Sequence, residues 1–227
     1  MTDSCEPGAP AGELGHNVVE TEYTGVSGTA GVATTFGTSL GFGPDGTDTS
    51  TISTAFADED EFDIEGFRLG MNLLDHFTEQ TIHNGDEDYY KKKTYTYTWL
   101  SIPNGKVYKN LAFDYNKKYI IHGIAANIKY KDNIEDCFKR KDELVAELTE
   151  RFKKAKVKDH GTYKHSYDKS GKTTVTRTYF LFKSNDYVDV YCNDWSPEMF
   201  KKHRWVEDLG VSIGSSEYRT FLFEAYK

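Results

Sequence analysis

Foldable hydrophobic patterning starts only near residue 58 of this 227-residue chain, and the charge changes sign close to the same place. No lysine or arginine precedes Arg68, so residues 1–67 carry thirteen acidic side chains and no basic one. The remaining 160 residues hold all 28 Lys and Arg against 23 acids, a balance of +5 within a total of −8. A chain divided in this way reads as an acidic arm over residues 1–57 and a folded domain over residues 58–227. That size suits one well-cored domain with an appendage better than two domains.

Up to Ala57 the chain repeats Gly, Thr, Ser and Ala around isolated apolar residues, as in Gly25-Val26-Ser27-Gly28-Thr29-Ala30-Gly31-Val32. Ordering such a stretch costs backbone entropy and buries little apolar area in return, so the expectation is disorder, or order imposed by a partner. Val18, Val19, Tyr23, Val26, Val32 and Phe36 could form strands once docked. The run Asp58-Glu59-Asp60-Glu61 then leads into the domain. It lacks the alternate acids and sixth-position glycine of a calcium loop.

Within the domain, Leu69, Met71, Leu73, Leu74 and Phe77 read as a short amphipathic helix. Strands are expected at Thr94 to Ile102, Val107 to Tyr115 and Tyr119 to Tyr130, the first two joined by Pro103-Asn104-Gly105. Asn133 is placed as the N-cap of a helix running to about Lys154, because Ile134, Cys137, Phe138, Leu144, Val145, Leu148 and Phe152 recur at helical spacing. Strands follow at Thr162 to Tyr167, Thr173 to Lys183, Tyr187 to Asn193 and Leu209 to Ile213. Ser196-Pro197 starts a short helix, and Ser216 caps a last one. Tight turns between strands make the sheet antiparallel, so the expected fold is α+β, with helices on one face of an antiparallel sheet and a pattern of two α-β-β-β units.

The three cysteines, Cys5, Cys137 and Cys192, are too far apart for a metal knuckle. Cys137 and Cys192 fall on a helix and a strand among apolar neighbours, and two readings stay open: buried free thiols, or a disulfide if the protein is exported. The first eight residues have neither the basic nor the apolar region of a secretory leader, and no run reaches the ~18 apolar residues of a membrane span. The expectation is a soluble chain that is cytosolic, a mature exported form, or an assembly component.

Chemistry-bearing motifs are sparse, and no metal or cofactor is expected. His160 and His165 are five apart, which puts them on opposite faces of a strand. Gly41-Phe42-Gly43-Pro44-Asp45-Gly46 has dinucleotide-like spacing but no β-α-β context. Gly210-Val211-Ser212-Ile213-Gly214 matches the elbow of serine hydrolases, yet its surroundings are antiparallel and no acid partner is identifiable, so Ser212 reads as a strand residue. The one stretch combining basic and aromatic residues is Tyr89 to Trp99. Lys91, Lys92 and Lys93 with Tyr95, Tyr97 and Trp99 could bind a nucleic-acid base or a sugar by stacking. The same alternation suits a strand facing the helices. With +5 on the body and Lys91 to Lys93 taken as its only basic cluster, the core reading is preferred and nucleic acid is not.

The segment Asp63-Ile64-Glu65-Gly66-Phe67-Arg68-Leu69-Gly70-Met71-Asn72-Leu73-Leu74-Asp75-His76-Phe77 resembles a group of small, uncharacterised exported proteins of marine alphaproteobacteria. So do Ile134-Glu135-Asp136-Cys137, Gly161-Thr162-Tyr163-Lys164-His165-Ser166 and Cys192-Asn193-Asp194-Trp195. The resemblance covers about Asp58 to Lys227; it implies export and so favours the Cys137–Cys192 disulfide, but it carries no activity and no catalytic residue. The arm departs from that pattern, because a signal peptide would stand there. The expected function is a non-enzymatic binding or assembly module whose arm contacts a protein partner or another copy. The alternative is an exported or periplasmic protein, associated with the cell envelope or binding a small ligand.

Overall fold

A computed structural model describes residues 62–225, and the arm at 1–57 lies outside the described residues. A 3-10 turn at Leu73–Asp75 precedes helix α1 (Glu79–Asn84) and strands β1 (Asp86–Glu87), β2 (Thr96–Ser101), β3 (Asn110–Tyr115) and β4 (Ile121–Lys129). Helix α2 (Ile134–Arg151) leads into β5 (Lys156–Lys164), β6 (Thr174–Leu181) and β7 (Tyr187–Asp194). Helix α3 (Pro197–His203), β8 (Asp208–Gly214) and α4 (Ser216–Ala225) complete the described residues. All eight strands form one antiparallel sheet in the order β1-β2-β3-β4-β8-β7-β6-β5. Each half is a helix followed by a four-stranded meander, and the halves meet through their last strands, β4 and β8. The fold is α+β.

Side chains alternate across each strand, so the sheet has two distinct faces. Leu111, Phe113, Ile124, Val188, Val190, Leu209, Val211 and Ile213 point to the first face and pack against Cys137, Leu144 and Leu148 of α2. Tyr97, Ala112 and Ala125 point to the second face and pack against Tyr218, Phe221 and Leu222 of α4. The helices are therefore divided between the faces, where the sequence placed them on one. The reason is local: Ser215 and the first turn of α4 follow β8 directly, and the apolar side of that helix meets the small residues Ala112 and Ala125.

Helix α2 begins where its polar signals put it. Asn133 Oδ1 accepts from the Asp136 N–H at 3.3 Å, Glu135 and Asp136 lie in the first turn, and Arg151 lies in the last, each charge matched to the helix dipole. Cys137 on its buried side is joined to Cys192 of β7 by a disulfide spanning 55 residues of sequence. One turn of α2 is thereby tied to the sheet.

Two expectations change for identifiable reasons. Residues 69–77 form only the 3-10 turn at Leu73–Asp75, because their backbone groups pair with the start of β4: Gly70 N–H donates to Ile121 C=O, Leu73 N–H to Tyr119 C=O, and Ile121 N–H to Met71 C=O. Gly70 adopts φ +82°, outside the right-handed helical region. The helix starts later, at α1, where Thr78 Oγ1 caps Thr81 N–H. Strand β3 starts after Val107, because Glu65 takes the amides of Lys106, Val107 and Tyr108 at 2.6, 2.7 and 2.9 Å. That carboxylate fastens the beginning of the domain to the β2–β3 loop.

Candidate functional site

The Tyr89 to Trp99 stretch does not form an open stacking surface. Tyr95 and Tyr97 are buried between the sheet and α4, with Tyr95 edge-on to Tyr218 and Phe221 at 5.4 and 5.0 Å, while Trp99 is half-buried. Helix α4 occupies the space a stacked base or sugar ring would need. Lys91, Lys92 and Lys93 are exposed, but Lys92 pairs with Glu224 of α4 at 2.9 Å and Lys93 pairs with Asp88. The three lysines and three rings are not brought together.

The second face instead carries buried polar groups roofed by tyrosines. Asp114 accepts from Tyr90 Oη at 2.7 Å, and that hydroxyl lies 2.6 Å from Tyr218 Oη; burial, opposed by these bonds, pushes the carboxyl up to about 7. Asp208 accepts from Asn193 Nδ2 at 3.0 Å and Trp195 Nε1 at 2.9 Å, and burial likewise pushes it up to about 7. Asp189 and Arg177 are both buried, with Oδ2 and Nε 3.2 Å apart. Burial raises the Asp189 carboxyl and Arg177 draws it down; the guanidinium keeps its proton, since losing it would strand its partner's charge. Glycines make this roof possible. A Cβ on Gly210 would stand 2.1 Å from the Tyr191 ring, and one on Gly214 2.5 Å from that of Tyr187.

These carboxylates are sealed from solvent, so they bear on stability and not on proton transfer to a substrate. Asp114 and Asp208 hold a proton in the fold up to about pH 7 but lose it near pH 4 once unfolded. Unfolding between those values releases protons, so the contribution of these two groups to stability is greatest below pH 4 and falls as pH rises from 4 to 7. Urea midpoints of the wild type should therefore be lower at pH 8 than at pH 5. Asp114→Asn should narrow that gap, and an unchanged gap would mean Asp114 is ionised in the fold.

The hydroxyls nearest to histidine are held in structural roles. Ser212 lies in mid-strand, in register with Ala125 of β4 and Asp189 of β7, and no turn follows it as an elbow requires. Ser215 Oγ is 3.0 Å from His122 Nδ1, whose Nε2 is 3.1 Å from Asn116 Nδ2. Asn116 Oδ1 already accepts from Lys118 and Ile120 N–H. Its amide group therefore donates to Nε2, which leaves the ring proton on Nδ1 pointing at Ser215. A base needs the opposite polarity. Ser215 Oγ also accepts from Tyr218 N–H at 3.2 Å, the role of a helix cap, so it is Ser215, not Ser216, that caps α4.

On the surface, Asp86 orients His83 at 2.7 Å, and His83 Nε2 is 3.0 Å from Tyr119 Oη. Tyr119 gives its proton to Glu79, and that bond raises the phenol's pKa, the wrong direction for a nucleophile. His165 packs on Trp195 and His160 on Tyr179, apart from one another. Among the described residues there is no group of three or more metal-ligating side chains.

The strongest unabsorbed feature is strand β5. It ends the sheet, so its outer edge pairs with no strand among the described residues. Residues 151–172 hold eight Lys and Arg against Asp159 and Asp168; Lys153, Lys154, Lys156 and Lys158 are exposed and make no ion pair among the described residues. This is a second and larger basic cluster than Lys91 to Lys93. Its signal was present in the sequence as a count of charges. At its start, Phe62 packs edge-on to Phe152 at 5.2 Å, and Arg151 lies over the Phe62 ring at 5.4 Å. Phe62, the first described residue, thus lies beside the start of the basic edge.

Comparison with known proteins found no match for this chain among family models, curated proteins or solved structures.

Proposed function

We propose that this protein is a non-enzymatic binding and assembly module, and that its acidic N-terminal segment is the contact element with a protein partner or another copy. The observation that carries this reading is the division of charge. Residues 1–57 carry seven acids and no base, Asp58 to Glu61 add four more, and the domain that follows presents an unpaired, lysine-bearing sheet edge. An edge strand is a template for an added strand. Lysines along it repel a second copy of the same edge and favour an acidic one. The structural hydrogen bonding of Ser215, His122 and Tyr119 further supports binding over hydrolysis.

Limited proteolysis of the full chain across a concentration series, read beside sedimentation velocity, tests the proposal. Association should rise with protein concentration and weaken with salt, and residues 1–57 should become protease-resistant in the associated fraction. A monomer at every concentration whose segment is cleaved at one constant rate would overturn it.

The second reading is an exported protein, cell-envelope-associated or binding a small ligand, and two observations favour it. The Cys137–Cys192 disulfide suits an oxidising compartment. A cleft of about 230 Å³ is lined by Phe62, Leu69, Phe182, Asp186, Tyr187, Val188 and Ile213. Free thiols at both cysteines in the native protein would remove its main support.

A further inference from the structure

We propose that the run Asp58 to Glu61 docks in cis on the basic surface formed by Arg151, Lys153, Lys154 and Lys156, at the start of β5. The inference rests on the reading of the acidic segment as a contact element and names the surface that receives its last residues. Three observations carry it. The described chain begins at Phe62, whose ring is fixed between Phe152 and Arg151, so the preceding residues start at this surface. Four extended residues reach roughly 13 Å, enough to pass Lys153 and Lys154, which follow Phe152 immediately. The charges are opposite: the run has four consecutive carboxylates, and the lysines of this surface are exposed and make no ion pair among the described residues.

Cis docking is favoured over docking between copies by the tether. A short link gives an effective concentration on the order of mM, above the working concentration of most proteins in solution. A second β5 edge is a poor occupant, because it would set Lys156 and Lys158 against their own copies. Docked in this way, the run covers the basic end of the edge strand, directs the chain outward, and leaves residues 1–57 for the partner.

Carbodiimide coupling, which joins carboxylates to lysine amines in direct contact, tests this on the full-length protein mixed from 14N and 15N preparations. Cross-links from Asp58 to Glu61 should reach Lys153, Lys154 or Lys156 within chains of one isotope. They should disappear in about 1 M salt, where the screening length falls to about 3 Å, and the link to the retained Lys156 should be lost in K153E/K154E, whose changes lie on exposed side chains. Mixed-isotope cross-links would overturn the cis assignment. Cross-links that persist in high salt would report the tether alone and overturn docking, as would cross-links to other lysines only. A chain that self-associates but lacks the coupling keeps the assembly reading and loses this one. A monomeric chain that shows the coupling does the reverse.

Discussion

Removing the Cys137–Cys192 bond should lower the thermal midpoint by roughly 8–16 °C. The bond joins α2 to β7 across a sequence separation of 55 residues, and closing a loop of that length removes unfolded-state entropy equivalent to about 4 kcal/mol in the chain-entropy model. Both sulfurs are fully buried between helix and sheet, so C137A/C192A also leaves a small void, and the double variant should fall further than the reduced wild type. Differential scanning calorimetry with and without reductant separates the two contributions. Alkylation in denaturant without reductant should label neither Cys137 nor Cys192. Labelling of both before reduction, with no change in midpoint on adding reductant, would show that the bond does not form.

The next largest effect is expected at Asp168. This residue is 3% exposed and accepts from Ser170 N–H, Thr173 N–H, Thr173 Oγ1 and Ser196 Oγ at 2.9, 3.1, 2.7 and 2.8 Å. It closes the β5–β6 hairpin and ties it to the N-cap of α3, since Ser196 Oγ also accepts from Met199 N–H. Burial by itself would raise the carboxyl's pKa, but the bonds from Ser170, Thr173 and Ser196 outweigh it and hold the group well below the usual carboxylate range. Asp168→Ala leaves several buried donors without an acceptor and should cost on the order of 3 kcal/mol, read as a lower urea midpoint. A group with a lowered folded pKa contributes its stability above the unfolded carboxylate value and loses it as pH falls below that value. The wild type should therefore lose part of its advantage over D168A below pH 4. A D168A midpoint within error of the wild type at pH 7 would show that these bonds are replaced by water without loss.

The two pH effects have opposite signs within one protein. Asp114 and Asp208 weaken the fold as pH rises from 4 to 7, because among the described residues no cation offsets their loss of water. Asp168 strengthens it above pH 4, because four donors converge on its oxygens. The difference lies in depth as well as in donors: Asp114 and Asp208 sit deep under the second face of the sheet, whereas Asp168 closes a hairpin near the surface, where its hydrogen bonds outweigh a smaller desolvation cost.

How much of this was legible in the chain varies from element to element. Helix α2 could be read because its apolar positions repeat at 3.6 residues and Asn133 caps it, both properties of neighbours in sequence. Strand β5 was placed late, at Thr162, because its first residues, Lys156-Val157-Lys158-Asp159-His160, sit at the sheet edge with both sides open to water. This stretch of β5 buries neither face and so shows no period of two. The same exposure kept the basic run from registering as a surface, although the eight charges could have been counted. Tyr95 and Tyr97 could be recognised as core candidates by alternation, but nothing local shows that α4 covers them.

The chain's own pattern determined which segments after Phe62 are helix or strand, and that acid and base are kept apart along its length, since each depends on residues a few positions from one another. Only the tertiary structure decided that β4 lies beside β8, that α2 and α4 take opposite faces, that Cys137 reaches Cys192, and that Asp168 meets Ser196 and Asp114 meets Tyr90 and Tyr218. Those contacts join residues tens of positions apart, and their partners are selected by the packing of the whole sheet, a quantity that no short window of sequence contains.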